Sequence, residues 1–288
     1  MNIRVVSTAV LVVLIISTVF SVTWAVKTPR LHEEPQSRII GGKPAEDGQF
    51  PYVVRVLGFG GPWSETHLYS CTGSIIDPRF VLTAGHCYSE TTNASEPFTY
   101  HIEAGSIISG EPRQFQIVIS SHAFLHPEYS LDTLENDIAL IKIKPFVFDE
   151  YVQPIRIALG SWDSESHVGE KVAVIGFGYI SEDGPVSDVL KWTKLTLIAK
   201  EVCQAIYTEA ENFDLPESVF CAEDQKPPIS SACSGDSGGP VVIMIKGKPV
   251  EIGVTSFRSD AGCAAHPQGY TDVAKFHDWL TLTMAQNS

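Results

Sequence analysis

Beyond its N-terminus this chain has only short apolar runs, and they are punctuated by glycine and proline, 22 and 18 of them in 288 residues. That punctuation favours strands joined by turns over long helices. Pro51 to Leu57 reads as a strand, broken by Gly58, Gly60 and Gly61. Phe80-Val81-Leu82, Ile138 to Ile143, Lys171 to Gly176 and Val241 to Ile245 read as four more, with Gly247-Lys248 turning a hairpin after the last. Helical spacing occurs late, where Val273, Phe276, Leu280 and Met284 can share a face. The expected class is therefore all-β, a sandwich or barrel with a short C-terminal helix. At 44% hydrophobic the chain can bury one large β domain or two small ones, and Phe146 to Trp162 is a plausible connection between halves.

The exception to short runs is the start. Val5 to Val26 carries no charge, Arg4 precedes it, and Thr23-Trp24-Ala25 places small residues where a signal peptidase reads them. Residues 1–25 read as a secretory signal peptide; an uncleaved membrane anchor is the alternative reading of so long a run. Residues 26–38 are short, polar and free of cysteine, as expected of a propeptide. Removing residues 1–38 takes away four basic and two acidic side chains, leaving 16 against 32 and a net charge of −16. So acidic a chain argues against nucleic acid and anionic membranes as partners. Six cysteines in an exported chain imply three disulfides, with several pairings open, and Asn93-Ala94-Ser95 is a glycosylation sequon.

Three motifs carry chemistry. Gly235-Asp236-Ser237-Gly238-Gly239-Pro240 sets a serine among glycines, which let the backbone turn tightly and aim N–H groups at one point. A serine hydroxyl needs a base, and His86 in Leu82-Thr83-Ala84-Gly85-His86-Cys87 lies beside a cysteine that can pin its loop. The base needs a carboxylate to hold its tautomer, and Asp137 heads the apolar run Ile138-Ala139-Leu140-Ile141. Each motif alone has a plain explanation as a turn, a loop histidine or a strand cap.

Together, in the order His, Asp, Ser, they resemble the chymotrypsin-like (trypsin-fold, S1-type) serine peptidases, over residue 39 to the C-terminus. In the phrase Gly253-Val254-Thr255-Ser256-Phe257, with Gly262-Cys263 and Gly269-Tyr270-Thr271 after it, the chain resembles arthropod chymotrypsin-like members. The resemblance implies two six-stranded antiparallel β barrels with the site between them, a peptidase domain over residues 39–288, and a secreted endopeptidase made as a zymogen. Ser237 would be the nucleophile, His86 the base and Asp137 its orienting carboxylate. The N–H groups of Gly235 and Ser237 would form the oxyanion hole, and Ser256 would border the site and bond the buried aspartate. It also implies the pairs Cys71–Cys87, Cys203–Cys221 and Cys233–Cys263. Cleavage between Arg38 and Ile39 by a trypsin-like activating protease would free an ammonium that pairs with Asp236. Partners would be protein or peptide substrates and protein inhibitors, the chain a monomer, and neither cofactor nor metal is expected; Ser106 to Glu111 is too short and poor in acids for the family's calcium loop. Gly85 stands where many members have alanine, a change read as neutral.

By the same resemblance Ser231 sits at the base of the specificity pocket. It cannot supply the charge that trypsin-like members use for Lys or Arg, so chymotrypsin-like or elastase-like specificity is expected. Arg258 and Gln268 stand at two positions that are glycine in open pockets, and would narrow the slot for small residues or, through Arg258, meet an acidic one. Leu134 would line the neighbouring subsite. A catalytically silent homologue is the competing class, disfavoured because His86, Asp137, Ser237, Gly235 and Asp236 are all present.

Overall fold

The computed structural model describes residue 39 and residues 41–59, 67–88, 99–108, 116–179, 187–227 and 229–288. Arg38, Asn93, the expected signal peptide and propeptide, and part of Ser106 to Glu111 lie outside the described residues.

The strands that alternation and turn residues mark fall into two sheets, antiparallel throughout except where Arg156–Ile157 runs parallel to Val250 and Glu251. β1 (Lys43–Pro44) joins the second sheet. The first holds β2 (Val53–Phe59), β3 (His67–Asp77), β4 (Phe80–Thr83), β5 (Thr99–Ala104), β6 (Gln116–Ser120), β7 (His122–Leu125) and β8 (Ala139–Lys142), ordered β6-β5-β2-β3-β4-β8-β7. β6 pairs with β5 and β7 with β8, yet Ser121 alone separates them. One strand bent at Ser121 thus curls the sheet round on itself. Val54, Val56, Ile75, Leu82, Ile102 and Leu140 fill its interior.

The second sheet holds β9 (Arg156–Ile157), β10 (Lys171–Gly176), β11 (Lys191–Ile198), β12 (Val219–Glu223), β13 (Pro240–Ile245), β14 (Lys248–Phe257) and β15 (Gln268–Asp272). Its order β11-β10-β13-β14-β15-β12 closes through pairing of β11 with β12, so six strands form a barrel, with β1 and β9 attached. Val174, Leu195, Leu197, Phe220, Ile252 and Tyr270 fill it. A third cluster takes Tyr52 and Val53 from the first half and Ile175 and Val242 from the second, joining the two.

The late helix is α2 (His277–Gln286), entered through a 3-10 turn over Val273–Phe276 whose N-cap, Asp272, accepts from the Ala274 N–H. A second helix, α1 (Lys200–Glu211), precedes it and was not expected. Val202, Cys203, Ile206 and Tyr207 recur at helical spacing in α1, yet of its residues only Cys203 and Tyr207 are buried and Val202 is exposed. The hairpin turn falls on Lys246-Gly247, both at positive φ, one residue before the expected place. Disulfides link Cys71 to Cys87, Cys203 to Cys221 and Cys233 to Cys263.

Candidate active site

Pairing of β4 with β8 brings Thr83 opposite Ala139, so the residues just past those points, His86 and Asp137, meet at one end of the first sheet. His86 occupies a single 3-10 turn, Gly85–Cys87, fastened to β3 by the Cys71–Cys87 disulfide. Asp137 is fully buried and follows Asn136, which is left-handed at φ 56°. Its Oδ1 accepts from the His86 backbone N–H at 2.7 Å, and its Oδ2 lies 2.8 Å from His86 Nδ1. Ser256, on β14, donates its hydroxyl to the same Oδ2 at 2.5 Å. Thr271 binds the Asp137 carbonyl at 2.8 Å. Burial pushes the Asp137 carboxyl up, but the His86 charge and the bonds from His86 and Ser256 outweigh it, so the group is held below the usual carboxylate range. The group therefore stays ionised, fixes His86 with Nδ1 protonated, and leaves Nε2 as the basic nitrogen.

A Cβ on Gly85 would approach Leu125 Cδ1 to 3.0 Å and Asp137 Oδ1 to 3.1 Å. The glycine read as neutral thus sits in tight contact with the buried carboxylate.

Ser237 is half-buried on the loop that leads into β13. Gly235 and Gly238 are at positive φ, and a Cβ on Gly238 would lie 2.1 Å from Thr83 Oγ1, so glycine is required there. The loop is tied across to β3 by Thr72, a residue the sequence did not single out. Its N–H donates to the Ser237 carbonyl at 2.8 Å and its hydroxyl to the Gly235 carbonyl at 3.0 Å. That hydroxyl accepts from the Phe177 N–H at 3.2 Å. Adjacency to Cys71 was the one signal that could have marked it. With both carbonyls held, the N–H groups of Gly235 and Ser237 make no hydrogen bond among the described residues.

Asp236 is fully buried, its carboxylate accepting from Gly178 N–H at 2.7 Å and Cys233 N–H at 2.8 Å. Gly176 and Gly178 make room for it, since a Cβ on either would fall within 2.4 Å of a carboxyl oxygen. Burial raises its pKa to about 7 against those two bonds, and no cation pairs with it among the described residues. Ile39 is buried and left-handed at φ 52°, its carbonyl accepting from Gly42.

Beside Ser237 is a pocket of about 80 Å³ lined by Cys233, Ser256, Phe257, Arg258 and Gln268. Ser231 does not line it. Gln268 is buried and intervenes: its Nε2 donates to the carbonyls of Ala232 at 2.5 Å and Cys263 at 3.1 Å, while its Oε1 accepts from Ala232 N–H at 3.0 Å and Tyr270 hydroxyl at 2.9 Å. Ser231 donates to the Cys263 carbonyl and lines a second cavity, about 370 Å³, which Gln268 also borders. Gln268 thus borders both cavities, and Ser231 only the second. Arg258 is half-buried at the pocket, its Nη1 bonded to the Ser259 carbonyl at 2.9 Å. Leu134 is half-buried and left-handed at φ 56°, beside Glu135, whose carboxylate accepts from the N–H groups of Glu217 and Ser218; it is not among the residues lining the pocket.

The trypsin family model matches residues 39–280. The chain belongs to the trypsin family of serine endopeptidases. This family member is 32% identical over 262 residues to serine protease 56 of Mus musculus, covering 90% of this chain and 40% of that protein. It is 31% identical over 256 residues to venom serine protease Bi-VSP of Bombus ignitus, covering 87% and 69%. With a venom protease of Bombus pensylvanicus it shares 31% over 252 residues, covering 85% and 98%. It thus spans less than half of the mouse relative and nearly the whole of the last.

Proposed function

We propose that this chain is a secreted serine endopeptidase made as a zymogen, with Ser237 as nucleophile, His86 as general base and acid, and Asp137 as the orienting carboxylate. The observation that carries the reading is Asp137 Oδ2 within hydrogen-bond distance of both His86 Nδ1 and Ser256 Oγ, with Ser256 lining one pocket together with Ser237. Ser237 Oγ attacks the scissile carbonyl as His86 Nε2 takes its proton. The N–H groups of Gly235 and Ser237 bind the oxyanion. His86 returns the proton to the leaving amine, and water then hydrolyses the acyl-enzyme by the same route.

Activation is a cut between Arg38 and Ile39 by a trypsin-like protease, after which the new ammonium pairs with Asp236. The buried Asp236 carboxyl, which accepts from two backbone N–H groups but has no cation partner among the described residues, supports this, because a buried carboxylate gains most from an arriving cation. Specificity is for small aliphatic residues before the scissile bond: about 80 Å³ lined in part by Gln268 suits an alanine or valine side chain better than an aromatic one, and no carboxylate lines it to pair with Lys or Arg.

The test is hydrolysis of a peptide library, varied at the residue before the cleaved bond, by chain cut with trypsin at Arg38. Cleavage after small residues that disappears in Ser237→Ala is expected. No hydrolysis of any peptide despite a verified Ile39 terminus would refute the assignment.

A further inference from the structure

The β13–β14 hairpin separates two further cavities, neither of which includes His86, Asp137 or Ser237. Side chains alternate along a strand, and here they alternate between the cavities. Ile245, Lys248 and Val250 line one of about 610 Å³, completed by Ile157, Leu159 and Trp162. Val242, Met244 and Pro249 line the other, about 450 Å³, with Phe50 and Tyr52 opposite. Leu159 and Met244 are exposed although apolar, at 64% and 62%. The Trp162 ring stacks on His167, with centroids 5.4 Å apart.

The rim has a charge opposite to that of the molecule. Arg156, Lys171, Lys194, Lys246 and Lys248 border the two cavities, five of the 16 basic residues beyond position 38, against one lining carboxylate, Asp163. The surrounding chain carries a net −16. Among the described residues none of the five is ion-paired; Lys171 reaches the Thr196 hydroxyl and Lys194 lies over the Trp192 ring at 5.8 Å. Lys171 feels the Asp224 carboxylate, but in a chain with twice as many acids as bases a cationic cluster with no ion pair of its own among the described residues favours an external anion.

We propose that this surface is a docking site, separate from the peptide-cleaving cleft, for an acidic segment of a protein substrate that crosses the hairpin and sets an apolar side chain in each cavity. Apolar-lined cavities of these volumes exceed one leucine side chain several-fold and so admit leucine or larger apolar anchors, which a sulfated glycan lacks, and the lysines and Arg156 suit glutamate or aspartate between them. Docking there raises the local concentration of the scissile segment at Ser237.

Two substrates test this on the chain cut after Arg38: one short cleavable peptide, and the same peptide carrying a flexible linker and a tail of alternating Leu and Glu. The tail should lower KM by about tenfold at low salt without raising kcat, and the gain should shrink as ionic strength rises. In Arg156→Glu/Lys248→Glu the gain should vanish while the tail-less peptide is cut as before. Equal KM values for the two substrates, or a gain that survives the charge reversal, would overturn the proposal. Fluorescence anisotropy of the labelled tail on uncut Ser237→Ala chain gives a reading that needs no turnover. Tail binding there without hydrolysis of either substrate would sink the catalytic assignment and leave the docking site standing. Heparin bound at a reversal-sensitive site, with no binding of the tail, would make the occupant a glycan and refute this one.

Discussion

At the scale of single residues, Gln268 and Thr72 decide more than their neighbours. Gln268 borders both a pocket of about 80 Å³ and a cavity of about 370 Å³. Replacing it with glycine removes a side chain common to both, so Gln268→Gly should raise kcat/KM for leucine or phenylalanine relative to alanine by about tenfold or more, measured on matched peptides. The same change strands Ala232 N–H and the Tyr270 hydroxyl, at a cost of roughly 1–3 kcal/mol for each group that water does not satisfy, visible as a lower urea midpoint. Thr72 is a positioning residue for Gly235. Thr72→Val should lower kcat about tenfold with KM little changed, because it removes the anchor of the Gly235 carbonyl, in the peptide that lies between the two proposed oxyanion-hole N–H groups, and leaves the pocket untouched; a rise in KM alone would contradict that role. His86, Asp137, Ser237 and Asp236 could be named as candidates because such chemistry needs fixed residue types in short fixed phrases, and the structure brings His86 to Asp137. Thr72 was not, since one threonine on a strand looks like any other. Nor was the displacement of Ser231 from the pocket, which depends on where a carboxamide 37 residues away in sequence comes to lie.

At the scale of elements, strands were legible where burial on one face or both leaves alternation or an unbroken apolar run: β8 and β10 fall within stretches so marked, β4 and β13 each run one residue beyond theirs, and β2 continues through Gly58 to Phe59, where the glycine was read as a break. The bend at Ser121, which lets one strand serve both β5 and β8, has no such mark, because pairing partners are set by tertiary geometry. Helix α1 was hidden for a related reason: it touches the core through Cys203 and Tyr207 and is otherwise wet. Its end is nonetheless sharp. Asn212 caps it in the left-handed region at φ 51°, its N–H reaching the carbonyls of Tyr207 and Thr208. A β-branched residue tolerates that conformation poorly, so Asn212→Val should cost about 1–2 kcal/mol and Asn212→Gly should be neutral or stabilising, by urea denaturation. Equal midpoints for the two variants would show that the cap does not hold the helix end.

At the scale of the whole molecule, four buried carboxyls make stability depend on pH in opposite directions, Asp272, raised by burial to about 6, among them. Asp137 is depressed, so the stability it contributes is present above its unfolded pKa, near 4, and is lost as pH falls through its lower folded value. Asp236 and Glu251 are raised, to about 7 and about 8, in each case chiefly by burial. Glu251 lies on β14 where the second barrel meets Tyr52 and Ser74 of the first half, and the Ser74 hydroxyl opposes its shift without cancelling it. For these two the proton is held more tightly in the folded chain. Their contribution is full below about pH 4 and is lost as pH rises, through about 7 for Asp236 and about 8 for Glu251. Uncut Ser237→Ala chain should therefore be most stable in mildly acid solution, its Tm falling toward pH 8. Glu251→Gln, which keeps the shape and removes the titration, should flatten the limb between about pH 5 and 8 in the uncut and the cut chain alike. Cleavage after Arg38 should act on the other group. Once an ammonium faces Asp236, that carboxylate gains a reason to be charged, and the Asp236 part of the loss should disappear from the cut chain only. The Tm difference between cut and uncut chain should then grow from pH 4 to pH 7. A difference that stays constant with pH would mean that the new terminus does not reach Asp236.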